Sequence, residues 1–355
     1  MLDEIKGKVQ RGERISRIEA LELFRSDDIF SLGLMASHVA QEKNDLKVFF
    51  VRNRHINPTN ICVNRCRFCA FSRSKGEEGA YELSIAEIIR RLGSSGNGLR
   101  EVHIVGGLHP DRPLEYYLEM LSAIREEFPI LHIKAFTAVE IDHMSRISGK
   151  GLDETLKLLK QRGLDAMPGG GAEIFNPDVR KRLCPEKITG KRWLEVHETA
   201  HRYGIKTNAT MLYGHLETVE DRVDHLWRLR ELQDRTGGFQ AFIPLSYHPE
   251  NNDIGGGFPS GIDDLKTIAV SRVFLDNFSH IKAYWIMLGE KLSQVALLFG
   301  ADDIEGTVIE EKITHSAGGR TSEGLGKEDI VHLIRRAGRV PVERDALYNE
   351  LRVYR

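Results

Sequence analysis

The stretch N-R-H-I-N-P-T-N-I-C-V-N-R-C-R-F-C-A-F-S-R, Asn53 to Arg73, decides how the rest of the chain is read. Inside it Cys62, Cys66 and Cys69 form C-x3-C-x2-C, with Phe68 just before the third cysteine. Three thiolates on one short loop can each hold one iron of a [4Fe-4S] cube, which leaves the fourth iron without a protein ligand and open to a substrate. A zinc site would call for a fourth Cys or His at close spacing, and none follows before Glu77 and Glu78. A disulfide framework fits worse, because a chain of 355 residues carries four cysteines and three of them share this loop. The fourth, Cys184 in R-L-C-P-E-K, is far away in sequence and reads as a buried or incidental thiol.

On either side of the loop the pattern is strand, then helix, repeated. Val48 to Val51 and His55 to Asn57 supply the β-branched and aromatic residues of a first core strand at about 51–57. Downstream, Ser84 with Glu87 is a capping-box pair opening a helix that Gly93 closes, and Val102 to Val105 is a short buried strand ending in Gly106-Gly107. Pro113 starts the next helix, Leu131 to Phe136 is a third strand, and Ala166-Met167 a fourth, followed by a glycine run. Lys206 to Tyr213 and Ala241 to Leu245 are strands five and six, separated by a helix that Thr218 and Asp221 cap and Gly237-Gly238 end. Ile281 to Met287 reads as strand seven, and Asp303 to Thr307, low in apolar content, as strand eight.

About eight such units with short connections predict an α/β fold, a (β/α)8 TIM-type barrel, with the doubly wound sheet as the alternative. The barrel is favoured because polar and glycine-rich positions fall just after each strand, the active-site face of such barrels. The apolar spacing from Ile15 to Phe24 and from Ile29 to Val39 predicts an N-terminal helical cap over 1–50, ahead of a barrel over 51–310. Residues 311–355 form a C-terminal extension, a loop and helices closing the barrel, with Thr314 to Gly326 rich in Gly, Ser and Thr.

Composition narrows the partners. Lys and Arg number 50 against 52 Asp and Glu, a formal net charge of -2, so neither a nucleic-acid footprint nor a membrane-surface patch is indicated. No apolar run approaches membrane-spanning length, and M-L-D-E-I-K-G-K places charges where a signal peptide needs an apolar core, so a cytoplasmic location is expected. The partners read as small molecules.

C-x3-C-x-aromatic-C after a first strand resembles the signature of the radical S-adenosylmethionine enzymes, in which that cofactor chelates the unique iron. The likeness continues through G-G-L-H-P at Gly106 to Pro110, F-T-A-V-E at Phe136 to Glu140, P-G-G-G-A-E-I-F at Pro168 to Phe175 and A-T-M-L-Y-G-H at Ala209 to His215. With F-I-P-L-S-Y-H-P-E-N at Phe242 to Asn251 and K-I-T-H-S-A-G at Lys312 to Gly318, the chain is similar to the menaquinone-pathway branch of the family. That branch contains aminofutalosine synthase and the dehypoxanthine futalosine cyclase, with the FO synthase subunits as cousins.

The resemblance implies a [4Fe-4S] cluster on Cys62, Cys66 and Cys69, and S-adenosylmethionine as co-substrate. Gly106 and Gly107 stand where relatives carry G-G-E, whose backbone takes up the amino end of the cofactor; Leu108 replaces the acidic residue here. Thr137 and Glu140 are then candidates for its ribose or methionine end, and Gly170, Glu173 and Tyr213 are expected around the same cavity. No Gly-Lys-Ser/Thr follows Gly169 to Gly171, so that run is not a phosphate loop. Each of these residues can also be a turn or a strand-end hydrogen-bonding group. Among the histidines, His197, His201 and His225 fall within helices as packing residues, while His215, His248 and His315 fall in loops; His248 and His315 are the candidate bases.

For the synthase the implied reaction adds a 5'-deoxyadenosyl radical to the enol-ether benzoate 3-[(1-carboxyvinyl)oxy]benzoate, with aryl migration and loss of carbon dioxide giving 6-amino-6-deoxyfutalosine. A one-electron donor of the flavodoxin or ferredoxin kind is the implied partner. Two substrate carboxylates call for cationic or amide groups, which arginine forks suit best. The cyclase abstracts hydrogen instead. A non-catalytic iron-sulfur electron carrier is the alternative of a different class, but a carrier has no need of so many glycine-rich strand ends.

Overall fold

The computed structural model describes residues 2–95, 98–322 and 324–355. Its strands are β1 (Lys47–Val51), β2 (Asn53–Ile56), β3 (Glu101–Ile104), β4 (His132–Ala135), β5 (Ala166–Met167), β6 (Lys206–Tyr213), β7 (Phe239–Ser246), β8 (His280–Ile281), β9 (Asp303–Gly306), β10 (Val340–Arg344) and β11 (Glu350–Val353). β2 to β8 pair in sequence order as one parallel sheet. β9 and the residues after it span the gap between β8 and β2: Lys282 bridges to Asp303 of β9, and Arg54 to Ile309, three residues past it. The amide of Asp302 donates to Ile281 at 3.0 Å and that of His55 to Ile309 at 3.1 Å. The expected barrel is therefore present with seven of its strands in one parallel sheet, the eighth, β9, meeting them only through isolated bridges.

The helices start where their caps are written. Ser84 and Glu87 form the reciprocal box that opens Ile85–Gly93. Thr218 and Asp221 do the same for Val219–Thr236, which ends on Gly237 at φ 60, a left-handed turn that glycine adopts without a Cβ penalty. Pro113 stands at the N-cap of Leu114–Glu127. At the N-terminus three helices, Leu2–Gln10, Arg17–Arg25 and Ile29–Asn44, are present where two were expected. The third packs against the outer helix Gly261–Phe274, and the second against Val219–Thr236.

Four features depart from the expectations. The first strand, placed at 51–57, is two strands divided at Arg52, and β1 leaves the barrel for a separate sheet of order β11-β10-β1-β9. Strand seven pairs only over His280–Ile281, because Trp285–Leu288 is a turn of helix. Ala138–Ile147 and Pro177–Leu183 are additional helices that follow strand ends. Finally, the C-terminal part holds the strands β10 and β11 besides the helices Ile313–Ser316 and Lys327–Arg336. Glu323, inside the expected loop Thr314 to Gly326, lies outside the described residues.

The outer shell is apolar: Val102, Ile104, Ile133 and Ala135 on adjacent strands are fully buried. Inside the ring the layer below the cavity is charged instead. Lys134 Nζ meets Glu101 at 2.6 Å, Lys282 pairs with Glu305, and Arg344 Nε reaches Asp303 at 2.8 Å. Such pairs add little net stability over apolar packing, but removing one partner leaves a buried charge unmatched. Among the described residues no helix is long and apolar enough to cross a membrane.

Candidate active site

The cysteine loop leaves β2 at the carboxyl end of the barrel and is tied down by backbone bonds. Val63 N donates to Leu108 O at 2.9 Å, Cys62 N to Arg73 O at 3.0 Å, Arg73 N to Asn60 O at 2.8 Å and Arg67 N to Leu183 O at 3.0 Å. Leu108, which takes the place of an acidic residue, thus anchors the loop through its carbonyl and is itself buried. A Cβ on Gly107 would lie 2.2 Å from Ile61 O, so the loop passes directly over this glycine.

Cys62, Cys66 and Cys69 are free, half-buried thiols facing one cavity. Burial pushes the Cys66 thiol up to about 12, against the pull of the Lys187 ammonium. Bound iron would take the place of the thiol proton, so the three thiols fit an iron-sulfur cluster that they would hold through their sulfurs. Lys187 itself donates to Glu173 Oε1 at 2.6 Å and lies 5.0 Å from the Phe68 ring centroid.

The cavity, about 320 Å³, is lined by Gly106, Gly107, Thr137, Glu140, Gly170, Glu173 and His248 together with the three cysteines. Glu140 reaches across from the next strand end. Its carboxylate accepts from Gly106 N at 3.0 Å, and from Thr137 N at 2.7 Å as one half of a capping box. Burial raises it to about 7 in spite of these bonds. An acidic group thus stands beside the Gly-Gly turn although position 108 is leucine. Phe136 just past β4, Glu173 in the loop that follows β5, and Glu305 within β9 hold positive φ of 62, 48 and 74. Non-glycine residues keep this conformation only where their surroundings impose it, and such positions cluster at functional sites.

His248 Nε2 lies 3.1 Å from Met287 O; since a carbonyl only accepts, the ring proton sits there. That leaves Nδ1 with a lone pair and no partner. Burial lowers the pKa of His248, so the ring is neutral and able to take a proton.

Two expected residues lie elsewhere. The buried Tyr213 hydroxyl donates to Asp264 Oδ1 at 2.6 Å, so the last residue of β6 points into the packing against the helix Gly261–Phe274, away from the cavity. His315 does not line the cavity either, although Glu311, Ile313, Thr314 and Ala317 around it do. Its Nδ1 meets Glu311 Oε2 at 3.0 Å and its Nε2 meets Thr321 O at 3.0 Å. The Glu311 hydrogen bond raises its pKa from 6.5 to about 9, which makes it a cation at neutral pH and a latch for its own loop, not a base. His215 is likewise consumed, its Nε2 lying 3.0 Å from Leu212 O. Cys184 is buried, as expected of an incidental thiol.

The latch has a pH window. A raised histidine pKa gives stabilisation that is complete below 6.5 and lost as pH climbs through about 9. Burial opposes ionisation of Glu311, but His315 and the Thr314 amide hold its carboxyl below the usual range, so its share is lost only in acid. Amide hydrogen-exchange protection over 314–321 is therefore expected to be flat near neutrality and to fall as pH passes about 9. His315→Gln should abolish the alkaline step; an unchanged step would assign it to another group.

Residues that sequence reading missed complete the wall: Lys187, His55, His103, Glu305 and Glu311. Among the described residues no arginine lines the cavity, so the expected arginine forks are not there.

Residues 56–228 match the radical SAM superfamily, and over 356 aligned residues the chain is 48% identical to aminodeoxyfutalosine synthase of Thermus thermophilus, covering 99% of this chain and 96% of that protein. The chain belongs to the radical SAM superfamily. Residues 236–354 match the CofH/MqnC C-terminal region, which in this superfamily member spans β7 to β11. Other relatives bear other names. A 5-amino-6-(D-ribitylamino)uracil--L-tyrosine 4-hydroxyphenyl transferase of Methanopyrus kandleri is 44% identical over 99% of this chain and 93% of its own. A cyclic dehypoxanthine futalosine synthase of Streptomyces coelicolor is 39% identical over 99% and 90%. The FeFe-hydrogenase maturase HydG of Carboxydothermus hydrogenoformans, at 20% identity, shares the fold with a TM-score of 0.76 over 98% of this chain and 80% of that one.

Proposed function

We propose that this radical SAM enzyme is an aminodeoxyfutalosine synthase, joining the adenosyl part of S-adenosylmethionine to 3-[(1-carboxyvinyl)oxy]benzoate in menaquinone biosynthesis. The near-full-length 48% identity to a synthase of that name carries the reading. A cavity of about 320 Å³ facing the cysteine loop supports an enzyme over an electron carrier, which needs no such space. Cys62, Cys66 and Cys69 hold the [4Fe-4S] cluster, and a flavodoxin- or ferredoxin-type donor supplies its electron. When bound, the cluster and S-adenosylmethionine supply the reductive cleavage that gives the 5'-deoxyadenosyl radical.

The chain's own residues position and enclose. The Gly106-Gly107 backbone, with Glu140 fixed to Gly106 N, takes the ammonium end of the co-substrate. Thr137, Gly170 and the Glu173–Lys187 pair border the remainder. Val105, Leu212, Ile243, Leu245 and Met287 give the cavity an apolar wall that receives an aryl group and excludes water and stray hydrogen donors. His248 lines the cavity with its Nδ1 unpartnered, and this nitrogen is the base that accepts a proton from the rearranging intermediate.

The test uses anaerobic, reduced protein with S-adenosylmethionine labelled in its adenine ring and the enol-ether benzoate. Addition carries the label into a product holding both adenine and benzoate ring, one S-adenosylmethionine consumed per product. Free 5'-deoxyadenosine released in step with product, and only with a futalosine-type substrate, would make the enzyme the cyclase.

A further inference from the structure

His55, His103 and Glu305 are not used by this chemistry, yet they come together deep in the same cavity. His55 and His103 are direct register partners on β2 and β3. Glu305 of β9 comes in beside β2, where Asn53 Nδ2 donates to it, so β2, β3 and β9 each send one side chain toward the same point. One ring nitrogen of each histidine and one oxygen of Glu305 lie within 4.8 Å of one another.

What sets this group apart from the other core histidines is that both rings and a carboxylate converge within 4.8 Å on the wall of the cavity. Buried polar atoms nearly always have a partner. Here His55 Nε2 and His103 Nδ1 have none. In addition, the ring centroids are 4.4 Å apart. The carboxylate is oriented from behind, Oε1 accepting from Asn53 Nδ2 at 3.1 Å and Oε2 from Lys282. Outer partners of this kind fix metal-ligating carboxylates.

We infer that His55, His103 and Glu305 form a divalent-cation site inside the barrel, separate from the cysteine loop, with its open coordination positions facing the cavity. A two-imidazole, one-carboxylate set suits Zn2+ and the neighbouring first-row ions and leaves one face free. The lysines and arginine below it are already matched, Lys134 by Glu101, Lys282 by Glu305 and Arg344 by Asp303. With Glu311 likewise matched by His315, the added charge calls for an anionic oxygen of the bound ligand. This gives a cavity without arginine the means to hold a carboxylate. The site stands whether or not the benzoate is the co-substrate, because its test needs no turnover.

The probe is Zn2+, offered anaerobically to the cluster-loaded enzyme and counted after equilibrium dialysis. One zinc per chain is expected for the wild type and for Cys184→Ala, with binding at least tenfold weaker in His55→Ala and His103→Asn at unchanged cluster absorbance. Zinc-edge X-ray absorption of the wild type should show only nitrogen and oxygen neighbours, with imidazole scattering. Zinc well below one per chain, undiminished binding in His103→Asn, or sulfur in the zinc shell would each overturn the site. The X-ray absorption result decides if the histidine variants lose their cluster or fold.

Discussion

Cys66→Ala is expected to abolish both the iron-sulfur absorbance and the cleavage of S-adenosylmethionine, and Cys62→Ala and Cys69→Ala are expected to match it. The three thiols face one cavity from a loop pinned at Val63, Arg67 and Arg73, so no fourth donor can be drawn in without breaking those bonds. Changes merely in the outer shell of a metal site cost 10–100-fold. Loss of a direct ligand should exceed about 100-fold in cleavage rate on that scale. Cys184→Ala is the informative control. Its sulfur is buried near enough to bear electrostatically on Cys66, but it does not line the cavity. The variant should keep its cluster and lose only a little packing. Near-normal cleavage in any loop variant, or cluster loss in Cys184→Ala, would defeat the assignment.

Gly107→Ala should do comparable harm with one methyl group. The added Cβ would stand 2.2 Å from Ile61 O, 2.7 Å from Ile61 C and 3.1 Å from Asn60 C, all main-chain atoms at the entry to the cysteine loop. No side chain can rotate away, so the loop itself must move. Overpacking of this kind costs about 1–3 kcal/mol. Misplacing reacting groups by about 1 Å costs roughly 100-fold in rate. The expected variant folds with normal far-ultraviolet dichroism and a lowered Tm, assembles less cluster, and cleaves S-adenosylmethionine about 100-fold more slowly. Gly93→Ala, at a helix end with nothing within 4 Å of the new Cβ, should be silent on all three measures. Cleavage within about twofold of wild type in Gly107→Ala would mean that the loop tolerates the shift, and the steric argument would fail.

Where the sequence was legible, the signal was local. The boxes at Ser84/Glu87 and Thr218/Asp221 state helix starts in four residues, and the cysteine spacing states a metal loop in eight. Position along a strand is a weaker signal. Tyr213 was placed at the cavity because it ends β6, but a strand alternates faces, and its hydroxyl found Asp264 on the outside. K-V-F-F-V and N-R-H-I merge by eye into one strand, because a single residue, Arg52, separates two chains of partners. Lys187 is 118 residues beyond Cys69, in a stretch without a strand or motif, and only the approach of Leu183 to Arg67 reveals its place. β9 looked weak as a strand because its polar residues Asp303 and Glu305 do electrostatic work with Arg344 and Lys282 that an apolar strand cannot do.

The position of β1 governs the order in which this protein can be made. β1 is parallel to β9 on one edge and β10 on the other, Phe49 opposite Asp303 and Lys47 opposite Val340. Neither edge has a partner until Asp303 and then Val340 have been made. At ordinary elongation rates of about 5–20 residues per second, that wait is on the order of tens of seconds. Throughout it the nascent chain exposes the run V-F-F-V, Val48 to Val51, an apolar, uncharged segment of the kind that pairs with copies of itself. Pairings so distant in sequence also form slowly. Recombinant yield should therefore track growth temperature and the supply of holding chaperones, and a stop codon placed before Val340 should give insoluble protein even though every cysteine-loop residue has been made.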